Sequence, residues 1–211
     1  VTAGPTYEQI DPVRFIGNYS SGRMGFAIAE CLAKKGAKVR LIAGPTFLKT
    51  QHPMIERIDV KTARQMYEAA TAAFEEAEAA ILSAAVADYT PKNVADSKIK
   101  KKDTALSIEL QPTDDILAEL GRRKKANQLL IGFALETDNE QANAEAKLKR
   151  KNLDFIVLNS LRDAGAGFGV ETNKVTIIDS LGNIDRKDLK AKSEVAEDIV
   201  EKMISMMNAK H

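Results

Sequence analysis

The sequence predicts an α/β fold: three layers, Rossmann-like, with a mostly parallel central sheet, helices on both faces and a small β-hairpin extension. Two observations predict it. Short apolar runs of strand length alternate with longer amphipathic or alanine-rich runs of helix length, which is βαβ patterning. The strand runs are nearly continuous in apolar residues, as strands covered on both faces require. The 211 residues read as one domain over 1–211, with no linker and no internal repeat.

In chain order, Val1 to Ala3 is an apolar strand ended by Gly4-Pro5-Thr6. The stretch Asn18-Tyr19-Ser20-Ser21-Gly22-Arg23-Met24-Gly25 then leads into a helix over Phe26 to Lys35. Ser20 and Ser21 suit a helix N-cap, and Gly22 and Gly25 let the backbone approach a ligand. Lys38 to Ala43 reads as a buried strand, Ile55 to Val60 as another, and Ala63 to Ala77 as a helix of strong formers. Ala79 to Ser83 is a strand. Pro91 to Thr104 is lysine-rich and aperiodic, the pattern of a mobile surface loop. Ala105 to Leu110 alternates Leu106, Ile108 and Leu110, so a half-buried strand is expected. Asp114 or Asp115 caps a helix running to about Lys125. Leu129 to Phe133 is a core strand, and Asn139 to Lys151 a charged helix with Glu145 and Lys149 at i,i+4. Asp154 to Leu158 is a further core strand and Asp163 to Gly169 a glycine-rich loop. Lys174 to Ile178 and Ile184 to Arg186 form a hairpin through Gly182-Asn183. Ser193 to Met207 closes the chain as a helix with Ala196, Ile199, Val200, Met203, Ile204 and Met207 on its core stripe.

Composition excludes several classes. The chain is 44% hydrophobic and 29% charged, with a net charge of +1. A nucleic-acid or membrane-surface binder is usually strongly basic, so no nucleic-acid or membrane partner is expected. No apolar run reaches the length of a bilayer span. The single Cys31 sits among apolar residues and reads as a buried thiol. His52 and His211 lack metal-ligand spacing. These features fit the cytoplasm. Val1 falls within a strand, so a fragment of a longer chain is expected.

Chemistry is expected beyond the carboxyl ends of the parallel strands. Four stretches fall there: Gly4 to Gly25, Ala84 to Tyr89, Gly132 to Thr137 and Asn159 to Gly169. The first turn is not G-x-G-x-x-G, and the second strand ends in Ala43-Gly44-Pro45 without an acidic residue for a ribose, which argues against a standard NAD enzyme. The helix start after Asn18 is either an anion site or an ordinary capped turn. Asp88 is either a loop cap or a ligand for base, ribose or Mg²⁺. Lys98, Lys100 and Lys101 are either a solvated loop or a lid over a polyphosphate. Lys147 and Lys151 share one helix face, solvated or phosphate-binding. Phe133 either packs in the core or stacks on a base. No Ser/His/Asp or Cys/His set exists, so catalysis would rest on positioning and charge neutralisation.

The stretches VTAGPT, DPVRFIGNYSSGRMG, SAAVADY, KIKK, GFALET, KRKNLDFIVLN and GFG followed by NKV occur in this order along nearly the whole chain. Together they closely resemble the phosphopantothenate–cysteine ligases of coenzyme A biosynthesis. The resemblance implies activation of 4'-phosphopantothenate by CTP with Mg²⁺, giving an acyl-cytidylate and pyrophosphate. The amine of cysteine then displaces CMP. By motif, Asn18 would hold the acyl-cytidylate and Lys98 would sit on the loop closing over the triphosphate. Arg14, Ala84 and Ala85 would bind the acyl substrate. Ser20, Ser21, Gly22, Ser83, Asp88, Asp115, Ile116, Leu117, Phe133, Lys147 and Lys151 would bind the nucleotide. Thr113-Asp114-Asp115-Ile116 stands where the family usually has Asn-Pro-Asp-Ile. The resemblance also implies a homodimer whose sites are finished by the partner chain, and fusion behind a decarboxylase domain that alone would carry FMN. The alternative reading is a catalytically silent nucleotide-binding or assembly module of a flavoprotein. Intact Asn18, Asp88 and Lys98 favour the ligase.

Overall fold

The structure is a computed structural model; it describes residues 1–210 except 102, 104, 137 and 161–168. The first half of the chain contributes β1 (Thr2–Ala3), β2 (Tyr7–Gln9), β3 (Phe15–Gly17), α1 (Arg23–Lys34), β4 (Val39–Ala43), β5 (Ile55–Asp59), α2 (Ala63–Phe74), β6 (Ala79–Leu82) and β7 (Tyr89–Pro91). The second contributes β8 (Leu110–Pro112), α3 (Ile116–Arg123), β9 (Leu129–Glu136), α4 (Glu140–Arg150), β10 (Phe155–Ser160), β11 (Thr172–Asn173), β12 (Val175–Asp179), β13 (Ile184–Arg186), β14 (Lys190–Ala191) and α5 (Lys192–Asn208).

Among the described residues, eight strands form one sheet in the order β13-β12-β10-β9-β6-β1-β4-β5. The run from β5 to β10 is parallel, while β12 and β13 add antiparallel at one edge. β1 lies inside the sheet, with Thr2 paired to both Ile42 and Leu82. Side chains alternate across each strand, and this splits the core in two. Leu129 and Ile131 of β9, with Phe155 and Val157 of β10, pack with α1 and α5. Leu130, Ala134, Ile156 and Leu158 pack with α2, α3 and α4 on the other face. Each fully buried aliphatic side chain contributes about 1.5–3 kcal/mol relative to exposure. The expected methionine stripe of α5 is core: Ala196, Ile199, Val200 and Met203 are buried, and Ile204 and Met207 pack at its edge.

Local chemistry explains most element ends. Thr62 and Gln65 make a capping box at α2, and Asp115 caps α3 by accepting from the Ala118 N–H at 2.8 Å. The β12–β13 hairpin turns at Gly182, whose φ is 88°.

Several expectations are corrected. Neither Ser20 nor Ser21 caps α1. Gly22 does, with φ 82° and no side-chain cap, and Ser20 Oγ accepts from the Gly22 N–H at 3.3 Å instead. Residues 105–109 form no strand; only Leu110–Pro112 pair, with β7. Leu106 is 58% and Leu110 42% exposed, so the alternation marks an apolar face that the described residues leave largely open. Glu145 accepts from Gln141 at 2.9 Å rather than pairing with Lys149. The lysine-rich stretch is held at two described points: the Ala95 N–H donates to Ile10 O at 3.0 Å, and the Ile99 N–H to Asp11 Oδ2 at 3.1 Å. The glycine-rich loop expected over 163–169 lies outside the described residues apart from Gly169. No helix among the described residues is long and apolar enough to cross a membrane.

Candidate functional site

Sheet order reverses at β1: the chain passes to β4 and β5 on one side of it and to β6 on the other. Such a switch point opens a crevice at the carboxyl ends of the strands. Here it is a cleft of about 680 Å³, lined by the ends of β6 and β9, the start of α1, and parts of α3 and α4.

The floor is set by close approach. A Cβ on Gly25 would stand 2.5 Å from Ala3 Cβ and 2.7 Å from Ser83 Oγ, so only glycine lets α1 sit this close to β1 and β6. Ser83 Oγ donates to Thr2 O at 2.7 Å, and the Ala85 N–H to Gly4 O at 2.9 Å. These bonds fix the Ser83–Ala85 wall. Asn18 spans from β3 to that wall, its Nδ2 donating to Ala85 O and Val86 O, each at 3.1 Å. Because no side chain caps α1, its first-turn N–H groups and the positive end of its dipole are left open to an anion.

The opposite wall carries the cations. Lys151 Nζ pairs with Asp115. Burial pushes the Asp115 carboxyl up, but the Lys151 and Ala118 hydrogen bonds outweigh it and hold it below the usual carboxylate range. Lys147 Nζ donates to Phe133 O at 2.9 Å, and burial pulls its ammonium below the ordinary value of 10.5. Phe133 is half-buried, Ile116 is buried, and Leu117 lies against the open backbone of Gly132.

The cleft gathers Asn18, Ser20, Ser21, Gly22, Ser83, Ala84, Ala85, Asp88, Asp115, Ile116, Leu117, Phe133, Lys147 and Lys151. Arg14 and Lys98 stand outside its lining. Arg14 Nη2 donates to Ile99 O at 2.8 Å, and Lys98 is exposed. Asp114 lines the cleft but pairs with Arg64 at 3.0 Å.

Arg23, the cation of the helix-start stretch, also lines the cleft, as do three residues that sequence reasoning did not single out: Arg150, Asn173 and Lys192. Arg23 pairs with Glu171. Lys192 is only 8% exposed, and its Nζ donates to Val170 O at 2.6 Å. Burial, then the Arg23 charge, lowers its pKa. No local signal marks Lys192; it enters because α5 packs on α1. Asn173 could have been found, since it lies in the NKV stretch.

A family model for the DNA/pantothenate metabolism flavoprotein C-terminal domain matches residues 1–207. The chain belongs to that family. A curated relative from an unknown prokaryotic organism, named cysteine/cysteine sulfinic acid decarboxylase, is 58% identical over 99% of this chain and 58% of its own length. The coenzyme A biosynthesis bifunctional protein CoaBC of Bacillus subtilis (strain 168) is 45% identical over 98% of this chain and 50% of its own. The chain thus spans little more than half the length of these relatives. The crystal structure of the C-terminal domain of a CoaBC protein superposes with a TM-score of 0.84 at 40% identity, covering 99% of this chain and 94% of that one.

Proposed function

We propose that this chain is a CTP-dependent phosphopantothenate–cysteine ligase acting in coenzyme A biosynthesis. The observation that carries the reading is the cleft itself. It brings the uncapped start of α1, Asn18, the Ser83–Ala85 wall, Asp88 and the Lys147–Asp115–Lys151 group together at the switch point of the sheet. Membership of the family and the CoaBC relatives support it.

In the first half-reaction the phosphopantothenate carboxylate attacks the α-phosphorus of CTP. An acyl-cytidylate forms and pyrophosphate leaves. In the second, the cysteine amine attacks the acyl carbon, an amide forms, CMP departs and the amine proton is lost. The protein's part is placement and charge. The α1 N–H groups, with Ser20, Ser21 and Gly22, hold phosphate oxygens, and Lys147 and Lys151 neutralise others. Phe133 packs beside the base, with Asp88, Asp115, Ile116 and Leu117 along the nucleotide. Ala84 and Ala85 back the acyl substrate while Asn18 orients its carbonyl. Lys98 and Arg14 complete the site from the lysine loop and the β2–β3 hairpin.

Mg²⁺ would neutralise the polyphosphate. Among the described residues, no three His, Cys, Asp or Glu side chains stand together as a metal cage. Asp115 and Asp114 are already ion-paired. Asp88 at the cleft wall fits a metal held mainly by waters and substrate phosphates, the usual magnesium arrangement.

The chain is read as one domain and as half of a homodimer. The β2–β3 and β7–β8 arms expose Val13, Phe15, Tyr89 and Leu110, and Tyr7 stacks on Phe15 with centroids 3.8 Å apart. An apolar surface of this kind marks an interface. A fused decarboxylase domain carrying FMN and a cytoplasmic setting belong to the same proposal. The longer, bifunctional CoaBC relatives and the free Cys31 thiol support them.

The test is pyrophosphate release from purified protein with phosphopantothenate, Mg²⁺ and each of the four nucleotides. Release that needs phosphopantothenate and is fastest with CTP is expected. Folded protein that releases none with any nucleotide refutes the ligase reading and leaves the silent binding module.

A further inference from the structure

Arg14 and Ile99, the residue next to Lys98, are held by one carboxylate. Asp11 is fully buried. Its Oδ1 accepts from the Val13 N–H at 2.8 Å and the Arg14 N–H at 2.9 Å, shaping the β2–β3 turn. Its Oδ2 accepts from the Ile99 N–H at 3.1 Å and lies 3.5 Å from Arg14 Nη1. Arg14 Nη2 in turn donates to Ile99 O at 2.8 Å. The peptide groups of Ile99 are therefore gripped on both sides, N–H by the carboxylate and C=O by the guanidinium. A second bond, Ala95 N–H to Ile10 O, fixes the same segment four residues earlier.

Such a grip is strong for a loop contact. A hydrogen bond to a buried, ionised carboxylate is among the stronger ones proteins make. Burial pushes the Asp11 carboxyl up, but the three backbone N–H groups and Arg14 together hold it below its ordinary range, so it stays charged. Lys98 and Lys100, on either side of the gripped residue, are exposed.

We propose that Asp11 is a positioning residue: by fixing the Ile99 peptide to the β2–β3 hairpin, it sets where the Lys98 ammonium stands relative to the cleft. The proposal rests on the ligase reading for its consequence in turnover, though not for the tether. Without the anchor the Lys98 ammonium samples many positions, and a stabiliser that is not held in place loses much of its effect on the transition state. Nucleotide binding in the ground state depends on Lys147, Lys151 and the α1 start instead. It is left alone.

Two variants remove the same bond from opposite ends. Asp11→Asn keeps an oxygen for the turn but loses the charge and the second acceptor. Ile99→Pro deletes the donor N–H from the loop side and leaves the Asp11 carboxylate in place. In each, trypsin should cut after Lys100 about tenfold faster than in the parent, while thermal unfolding stays close to the parent's for Ile99→Pro. Turnover in pyrophosphate release should fall roughly tenfold with the nucleotide dissociation constant unchanged. The double variant should be no worse than either single one, because both delete one interaction. Unchanged cleavage after Lys100 in Ile99→Pro overturns the tether, as do losses that multiply in the double variant. Faster cleavage with parental turnover in Ile99→Pro overturns the positioning role. If Asp11→Asn does not fold, Ile99→Pro alone decides. Parent protein that releases no pyrophosphate refutes the ligase reading, and with it the role in turnover; cleavage still decides the tether.

Discussion

Asn18 is neutral, and both bonds of its amide N–H₂ are spent on Ala85 O and Val86 O. Asn18→Asp would remove both donors and set a carboxylate against two carbonyl oxygens, an unsatisfied arrangement costing about 1–3 kcal/mol. The new charge would also oppose the oxyanion that develops as cysteine attacks. The variant should still form acyl-cytidylate and fail to pass it to cysteine; quenching the reaction with and without cysteine measures both species. A wild-type amide yield would reduce Asn18 to a turn residue. The two helix lysines behave differently. In the free protein Lys147 holds Phe133 O and Lys151 holds Asp115, so each exchanges a protein partner for phosphate. Lys147→Ala and Lys151→Ala should each raise the CTP dissociation constant roughly tenfold, the worth of one charged hydrogen bond, with smaller effects on saturated turnover. Since burial lowers the Lys147 pKa below 10.5, its ammonium is lost at lower pH than an ordinary lysine's. CTP affinity should accordingly weaken on the alkaline side before pH reaches that value, and Lys147→Ala should abolish this limb. A dissociation constant unchanged in both variants would mean a merely solvated face.

At the scale of elements, α1 is the piece on which fold and site depend together. Its third residue, Gly25, has no room for a methyl group: a Cβ there would meet Ala3 Cβ at 2.5 Å and Thr2 O at 2.9 Å, both on β1. Gly25→Ala should force the helix start outward and cost about 1–3 kcal/mol, lowering Tm by roughly 2–4 °C per kcal/mol in a chain of this size. It should also weaken CTP binding by misplacing the first-turn N–H groups. A thermal melt and a nucleotide titration measure the two effects, and a parental melt would contradict the packing argument. The same helix shows what a sequence can reveal. Gly22 and Gly25 were legible as close-approach residues, but the cap was assigned to Ser20 or Ser21 because serine caps by composition, whereas here the left-handed turn needs Gly22 itself. The core strands were legible because both faces are covered, leaving long apolar runs. Leu106, Ile108 and Leu110 show the converse. Period-two alternation reports an apolar face and says nothing of whether the chain supplies a cover for it. The three-residue strands β2 and β3 carried no periodic signal at all.

For the whole molecule, Asn18 and the Ser83–Ala85 wall follow directly on strand ends, and the open parallel sheet brings strand ends together by topology. Lys192 comes into the cleft through the packing of α5 on α1, which no local pattern encodes. The apolar arms carry the remaining prediction. If they form the proposed dimer surface, the protein should sediment as a dimer, and Phe15→Asp with Tyr89→Asp should shift it toward monomer and reduce turnover. A monomeric parent would leave Arg14 and Lys98 to act within one chain. The placement of β1 also bears on how the chain reaches its fold. Two residues long, β1 waits for β4, some forty residues later, and for β6, some eighty residues later, before either side is paired. The sheet beyond β6 then grows outward from that seam to β9, β10 and β12. A nascent chain released before Leu82 therefore has an unpaired central strand edge and half-covered apolar faces, a species prone to self-association. Parallel pairing over such separations is slow by nature, so the ribosome's pace over the stretch from β1 to β6 sets how long that edge stays open.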